Sequence, residues 1–190
     1  MSDRSGLRWV KVRRFLALFV QPEKRGTWFA VDRLEDIPID RLILEGIRGV
    51  LVDVDGTLGP HRARHFPDSA VRHVLRMKES GLQVALYTND REDRFEQLPG
   101  VPVATGVPPK PDPEGFRLAM NRFLKLDNPR QVCMVGDNYI TDGGAVEAGM
   151  RFIHVEPLPG GENPVHRLTR WIARYLARRS MEFQENSANN

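Results

Sequence analysis

Four short apolar runs, Val50-Leu51-Val52, Val84-Ala85-Leu86, Val132-Cys133-Met134-Val135 and Phe152-Ile153-His154-Val155, alternate with stretches of helical spacing and with Gly, Pro and Asp punctuation. This alternation predicts an α/β fold, a mostly parallel sheet with helices on both faces. The 190 residues, 41% hydrophobic and 28% charged, are enough for one domain with terminal decoration and exclude a disordered or fibrous chain. Residues 1–36 read as a basic amphipathic segment and connector, 37–160 as the core, and 161–190 as a basic amphipathic helix with a frayed tail.

Taken in order, Trp9, Val12, Leu16 and Phe19 recur at helical spacing with Arg8, Lys11 and Arg14 between them, predicting an amphipathic basic helix over 7–20. Its longest apolar run, Phe15 to Val20, is too short for a bilayer span, which takes about 20 residues. Residues 26–36 read as a connector, and Ile37-Pro38 to Glu45 as a short helix. The strand Gly49 to Val52 runs into Asp53-Val54-Asp55-Gly56-Thr57-Leu58, where strand alternation puts Asp53 and Asp55 on one side. The loop 59–67 carries His61, Arg62, Arg64 and His65, either to meet an anionic substrate or simply as a solvated loop. Asp68 is expected to cap a helix with Ala70, Val71, Val74 and Leu75 on one face, closed by Gly81.

The next strand, Leu82 to Tyr87, delivers Thr88-Asn89 to its end. A helix over roughly 91–98 should lead to an edge strand at Val101 to Ala104, kept to the edge by Pro102. Pro108-Pro109-Lys110-Pro111 is a stiff segment that would fix Lys110. Asp112 should cap a helix with Pro113 at its first position and Phe116, Leu118, Ala119 and Phe123 as packing residues. After the strand Val132 to Val135 come Gly136-Asp137 and Asp142, then a helix Gly143 to Ala148 closed by Gly149, then the strand Phe152 to Val155.

Ligands of open α/β sheets bind beyond the carboxyl ends of the strands. Strand ends here carry or lead to Asp53 and Asp55, Thr88 and Asn89, Lys110, and Asp137 and Asp142. Each is ordinary turn or cap chemistry when taken singly. Gathered into one crevice, they fit phosphoryl transfer. The carboxylates suit Mg²⁺, while Lys110, Thr88 and Asn89 can neutralise and hydrogen-bond phosphoryl oxygens. Asp53 is placed to attack phosphorus, and Asp55 to protonate the leaving alkoxide and then take a proton from water.

In this order the motifs resemble those of the haloacid dehalogenase (HAD) superfamily. Asp53-Val54-Asp55-Gly56-Thr57 is similar to its first motif, Thr88 to the second, Lys110 to the third, and Gly136-Asp137 with Asp142 to the fourth, over roughly residues 46–156. The resemblance implies a Rossmann-like core, Asp53 as nucleophile and Asp55 as acid/base. It also implies Mg²⁺ held by the Asp53 carboxylate, the Asp55 backbone carbonyl and Asp137, with Asp142 assisting. Neither interval that houses a cap domain in that superfamily is long enough here, so a capless, open site is expected. A narrower resemblance is to the YqeG-type branch, whose relatives include phosphatidylglycerophosphate phosphatases. It rests on Leu34-Glu35-Asp36-Ile37, Gly46-Ile47-Arg48-Gly49-Val50-Leu51, the caplessness and the basic tail; it departs at Gly56, where that branch typically has Asn.

The ends bear on substrate. Residues 1–25 hold seven Lys/Arg against Asp3 and Glu23, and residues 164–190 hold five Arg against Glu182 and Glu185. Val165, Leu168, Trp171, Ile172, Tyr175 and Leu176 repeat at helical spacing among Arg167, Arg170, Arg174, Arg178 and Arg179. Such a helix over 165–179 suits an anionic membrane surface, and equally a face docked on the domain or on a second copy. The expected function is a Mg²⁺-dependent phosphomonoester hydrolase acting through an aspartyl phosphate. Its leading substrate is phosphatidylglycerophosphate, dephosphorylated to phosphatidylglycerol; a soluble sugar phosphate or nucleotide is the alternative. A non-catalytic RNA-binding protein that uses its basic ends is the third reading; the complete acidic and phosphate-binding set argues against lost catalysis, and so against nucleic acid as the partner. The single cysteine, Cys133, reads as a buried structural thiol in a reducing, cytoplasmic setting, with peripheral attachment to the inner face of a membrane as one use of the basic ends.

Overall fold

The computed structural model describes residues 26–89 and 95–159. The helices expected over 7–20 and 165–179, and positions 91–94 of the helix expected over 91–98, lie outside the described residues. The chain runs through β1 (Phe29–Val31), a 3₁₀ turn (Leu34–Asp36), α1 (Ile39–Leu44), β2 (Gly49–Val52), α2 (Asp68–Glu79) and β3 (Gln83–Leu86). It continues with α3 (Pro113–Ala119), which passes into a π-helical turn (Met120–Leu124), a second 3₁₀ turn (Pro129–Gln131), β4 (Val132–Gly136), α4 (Gly144–Glu147) and β5 (Arg151–Val155). The five strands form one sheet in the order β1-β5-β4-β2-β3, with every neighbouring pair parallel.

Alternation along each strand sends successive side chains to opposite faces, and the core divides accordingly. Val50, Val52, Val84, Leu86, Cys133, Val135, Ile153 and Val155 face one cluster. There they meet Leu34, Ile37, Ile39 and Leu42 from the first 3₁₀ turn and α1, and Ala70, Val74 and Met77 from α2. Leu51, Ala85, Val132, Met134 and Phe152 face the other cluster, against Phe116, Ala119, Met120, Leu124, Ala145 and Ala148. Burial on both faces explains why these strands read as unbroken apolar runs. Among the described residues the expected α/β fold with helices on both faces is therefore present, and no cap lies between β2 and β3 or in 95–109.

Four local expectations are corrected. Residues 29–31, read as connector, form β1 and pair with β5 from Phe29 beside Ile153 to Val31 beside Val155. The strand expected at 101–104 is reduced to a single bridge of Val103 with Leu86, bonded through Leu86 N to Pro102 O and Ala104 N to Leu86 O. Residues 95–98 of the expected helix form a turn, closed by Leu98 N to Phe95 O. Asp68 is the first helical residue of α2 and Pro67 its cap, with no side-chain hydrogen bond. Asp112, by contrast, caps α3 as expected, its carboxylate accepting from Glu114 N at 2.9 Å ahead of Pro113.

Candidate active site

β2 and β4 end side by side at the centre of the sheet, and the site is built on their ends. Asp53 follows β2 directly, its amide still donating to Val135 O of β4 at 2.9 Å. Its carboxylate is 7% exposed, and Lys110 Nζ lies 2.5 Å from its Oδ1. The same ammonium lies 2.5 Å from Asp142 Oδ1, so one cation bridges two acids that the chain separates widely. Lys110 is 2% exposed and Asp142 fully buried. Burial pushes the Asp53 carboxyl up to about 7, with the Asp142 charge adding to the rise and Lys110 opposing it. For Lys110, burial pulls the ammonium pKa down, but the two carboxylates outweigh it and the net shift is upward, so the lysine stays charged.

Backbone contacts fix these groups. Asn89, at the end of β3, accepts from Lys110 N at 2.8 Å and donates to Lys110 O at 3.0 Å. Its amide thus grips the lysine's own backbone. Tyr87 donates its hydroxyl to Pro108 O at 2.6 Å, and its ring lies under the ammonium, 5.6 Å from Nζ to centroid. Asp142 is held by Asn138, whose amide donates to Oδ2 at 3.0 Å and whose carbonyl accepts from Asp142 N at 2.7 Å. Thr88 is half-buried between Tyr87 and Asn89.

Two contributions went unread in the sequence. His154, on β5, is buried, stacks on Tyr139 at 4.6 Å, and places Nε2 3.2 Å from the carbonyl of Asp137. A polar residue in an apolar strand, at the end of the sheet where every other site residue lies, was the available signal. Gly56 has φ +92, and a Cβ there would meet Asp137 Oδ2 at 2.4 Å. Its turn therefore packs directly against an acid that follows β4, and this accounts sterically for glycine at this position.

Asp55 stands apart. Its carboxylate is partly exposed and accepts from the backbone amide of Arg62 at 2.7 Å, with His61 Nδ1 3.7 Å from the same Oδ1. It is not among the acids that converge. Those are Asp53, Asp137 and Asp142, all buried, with a carboxylate oxygen from each lying within 4.8 Å of the others. Three carboxylates against the single ammonium of Lys110 leave an excess of two negative charges when all are ionised. That excess and the all-oxygen donor set suit a hard divalent cation.

A parallel sheet with these acids and a buried lysine at its carboxyl end points to a class: the chain is similar to the haloacid dehalogenase-like hydrolases, a family of enzymes. The family model of that description, haloacid dehalogenase-like hydrolase, matches residues 59–149. A particular relative is "Probable phosphatase YqeG" of Bacillus subtilis (strain 168), 25% identical over 151 residues, spanning 77% of this chain and 86% of that one. Among solved structures, one crystal structure superposes with a TM-score of 0.53 at 12% identity, covering 70% of this chain and 84% of its own, a likeness of fold alone. Another, of an uncharacterized protein from Listeria monocytogenes serotype 4b, gives 0.46 at 18% identity over 62% and 85%.

Proposed function

We propose that the chain is a Mg²⁺-dependent phosphatase of phosphomonoesters. The observation that carries this is Lys110 lodged between Asp53 and Asp142, with Asp137 completing the acidic cluster. Asp53 attacks phosphorus as the leaving oxygen departs, and Asp55 gives that oxygen its proton. Asp55 then takes a proton from water, which attacks the aspartyl phosphate and releases phosphate and Asp53. Lys110 keeps Asp53 oriented and offers positive charge to the phosphoryl oxygens, beside the Thr88 hydroxyl. Asp53, Asp137, Asp142 and the Asp55 carbonyl would hold Mg²⁺, which when bound supplies charge neutralisation for the phosphoryl group.

Phosphatidylglycerophosphate is the leading substrate of this reading. Supporting it are the likeness to a phosphatase of the YqeG type and the basic amphipathic patterns of 7–20 and 165–179 in the sequence. Those segments lie outside the described residues, and among the described residues no helix is long and apolar enough to cross a membrane. The test is Mg²⁺-dependent phosphate release, comparing phosphatidylglycerophosphate in mixed micelles with soluble sugar phosphates and nucleotides. Faster release from a soluble ester would transfer the substrate assignment to that class. Asp53→Asn should reduce turnover to background while the variant melts cooperatively; undiminished activity in that variant would sink the mechanism.

A further inference from the structure

The acid/base residue assigned above is only partly buried, and a specific turn holds it. Ala63 N bonds Pro60 O at 3.0 Å, closing a turn through His61 and Arg62. Within it Arg62 has φ +59, a left-handed conformation uncommon for any residue but glycine, asparagine or aspartate. Its amide points at Asp55 Oδ1, 2.7 Å away, while His61 Nδ1 approaches the same oxygen at 3.7 Å. The turn is also anchored from behind. The Gln97 side chain accepts from Phe66 N at 2.7 Å and donates to Phe66 O at 3.3 Å, and the Phe66 ring stacks with Phe95 at 6.3 Å.

We propose that the Pro60–Ala63 turn positions Asp55 for proton transfer through the backbone amide of Arg62, making Arg62 a positioning residue whose side chain is dispensable for this role. A carboxyl oxygen accepts an N–H whether the group is protonated or ionised, so this bond can fix the orientation of Asp55 in both halves of the reaction. The amide selects which oxygen faces the leaving group. This rests on the phosphatase reading above, with Asp55 as the acid.

The test separates proton donation from the rest of the chemistry. Phenyl phosphate and 4-nitrophenyl phosphate have similar shapes, but phenolate is the more basic leaving group and gains more from an acid. First-turnover release of each alcohol is measured with Mg²⁺ present, so that the later attack by water does not enter. Arg62→Val, whose branched Cβ disfavours positive φ, should slow phenol release about tenfold or more and leave 4-nitrophenolate release nearly unchanged. Arg62→Gly, which keeps the amide and tolerates the φ, should retain the native ratio of the two rates. Equal slowing of both esters in Arg62→Val, no change in either, or a loss in Arg62→Gly matching that in Arg62→Val would each overturn the proposal. If the native chain released neither alcohol, the phosphatase reading itself would fall and take the positioning role with it.

Discussion

The two aspartates of the first motif lie two residues apart and inhabit different environments. Asp53 is buried at the centre of the sheet, bonded to a lysine that two other strand ends hold in place. Asp55 is partly exposed and leans on a turn beyond the sheet. The contrast fits the tasks proposed for them. A nucleophile must meet phosphorus along one line, and a rigid surround maintains that geometry. A group that gives a proton to one oxygen and later takes one from water must be open to both.

Removing the lysine breaks this contrast most severely. Lys110→Met leaves Asp53 and Asp142 facing each other without their cation, and should cost about 3–5 kcal/mol of stability together with turnover, read by denaturant unfolding and phosphate release. Next comes pH. With the Asp53 carboxyl raised to about 7 in the folded chain, the native state holds a proton that the unfolded chain has already released. Stability of the metal-free protein should therefore fall as pH rises from about 4 to about 7, the native state binding more protons than the unfolded one across that window. Added Mg²⁺ should raise the melting temperature more above this window than below it; an equal rise at both ends would deny that Asp53 helps to hold the ion. The smallest effect is expected from Asn89→Ala, which removes two hydrogen bonds to the Lys110 backbone while keeping the ammonium. A loss of about 1–2 kcal/mol should accompany reduced turnover, and full activity would place the lysine's support elsewhere.

The buried half of this contrast was legible in the sequence. Asp53, Lys110, Asp137 and Asp142 could be placed together because each follows or approaches a strand whose apolar run is unmistakable, and a parallel sheet aligns strand ends. The contacts of Asn89 and His154 were not legible, since an amide gripping backbone and a histidine supporting a carbonyl leave no spacing pattern. Phe29-Ala30-Val31 is too short to display alternation, so β1 was passed over as connector. Val101 to Ala104 carried the opposite error, since its apolar residues suggested a strand where Pro102 permits only a bridge. Asp68 followed cap statistics, but Pro67 occupies the extended cap position and moves the aspartate into the first turn.

One further consequence follows from the pairing of β1 with β5. Trp28 N bonds Phe152 O at 2.7 Å, so the described chain enters beside the start of β5; Leu158 N bonds Gly56 O at 2.8 Å, so it departs against the first motif. The described chain therefore enters and leaves at opposite ends of the sheet, and it leaves at the end where Asp53, Lys110 and Asp142 lie.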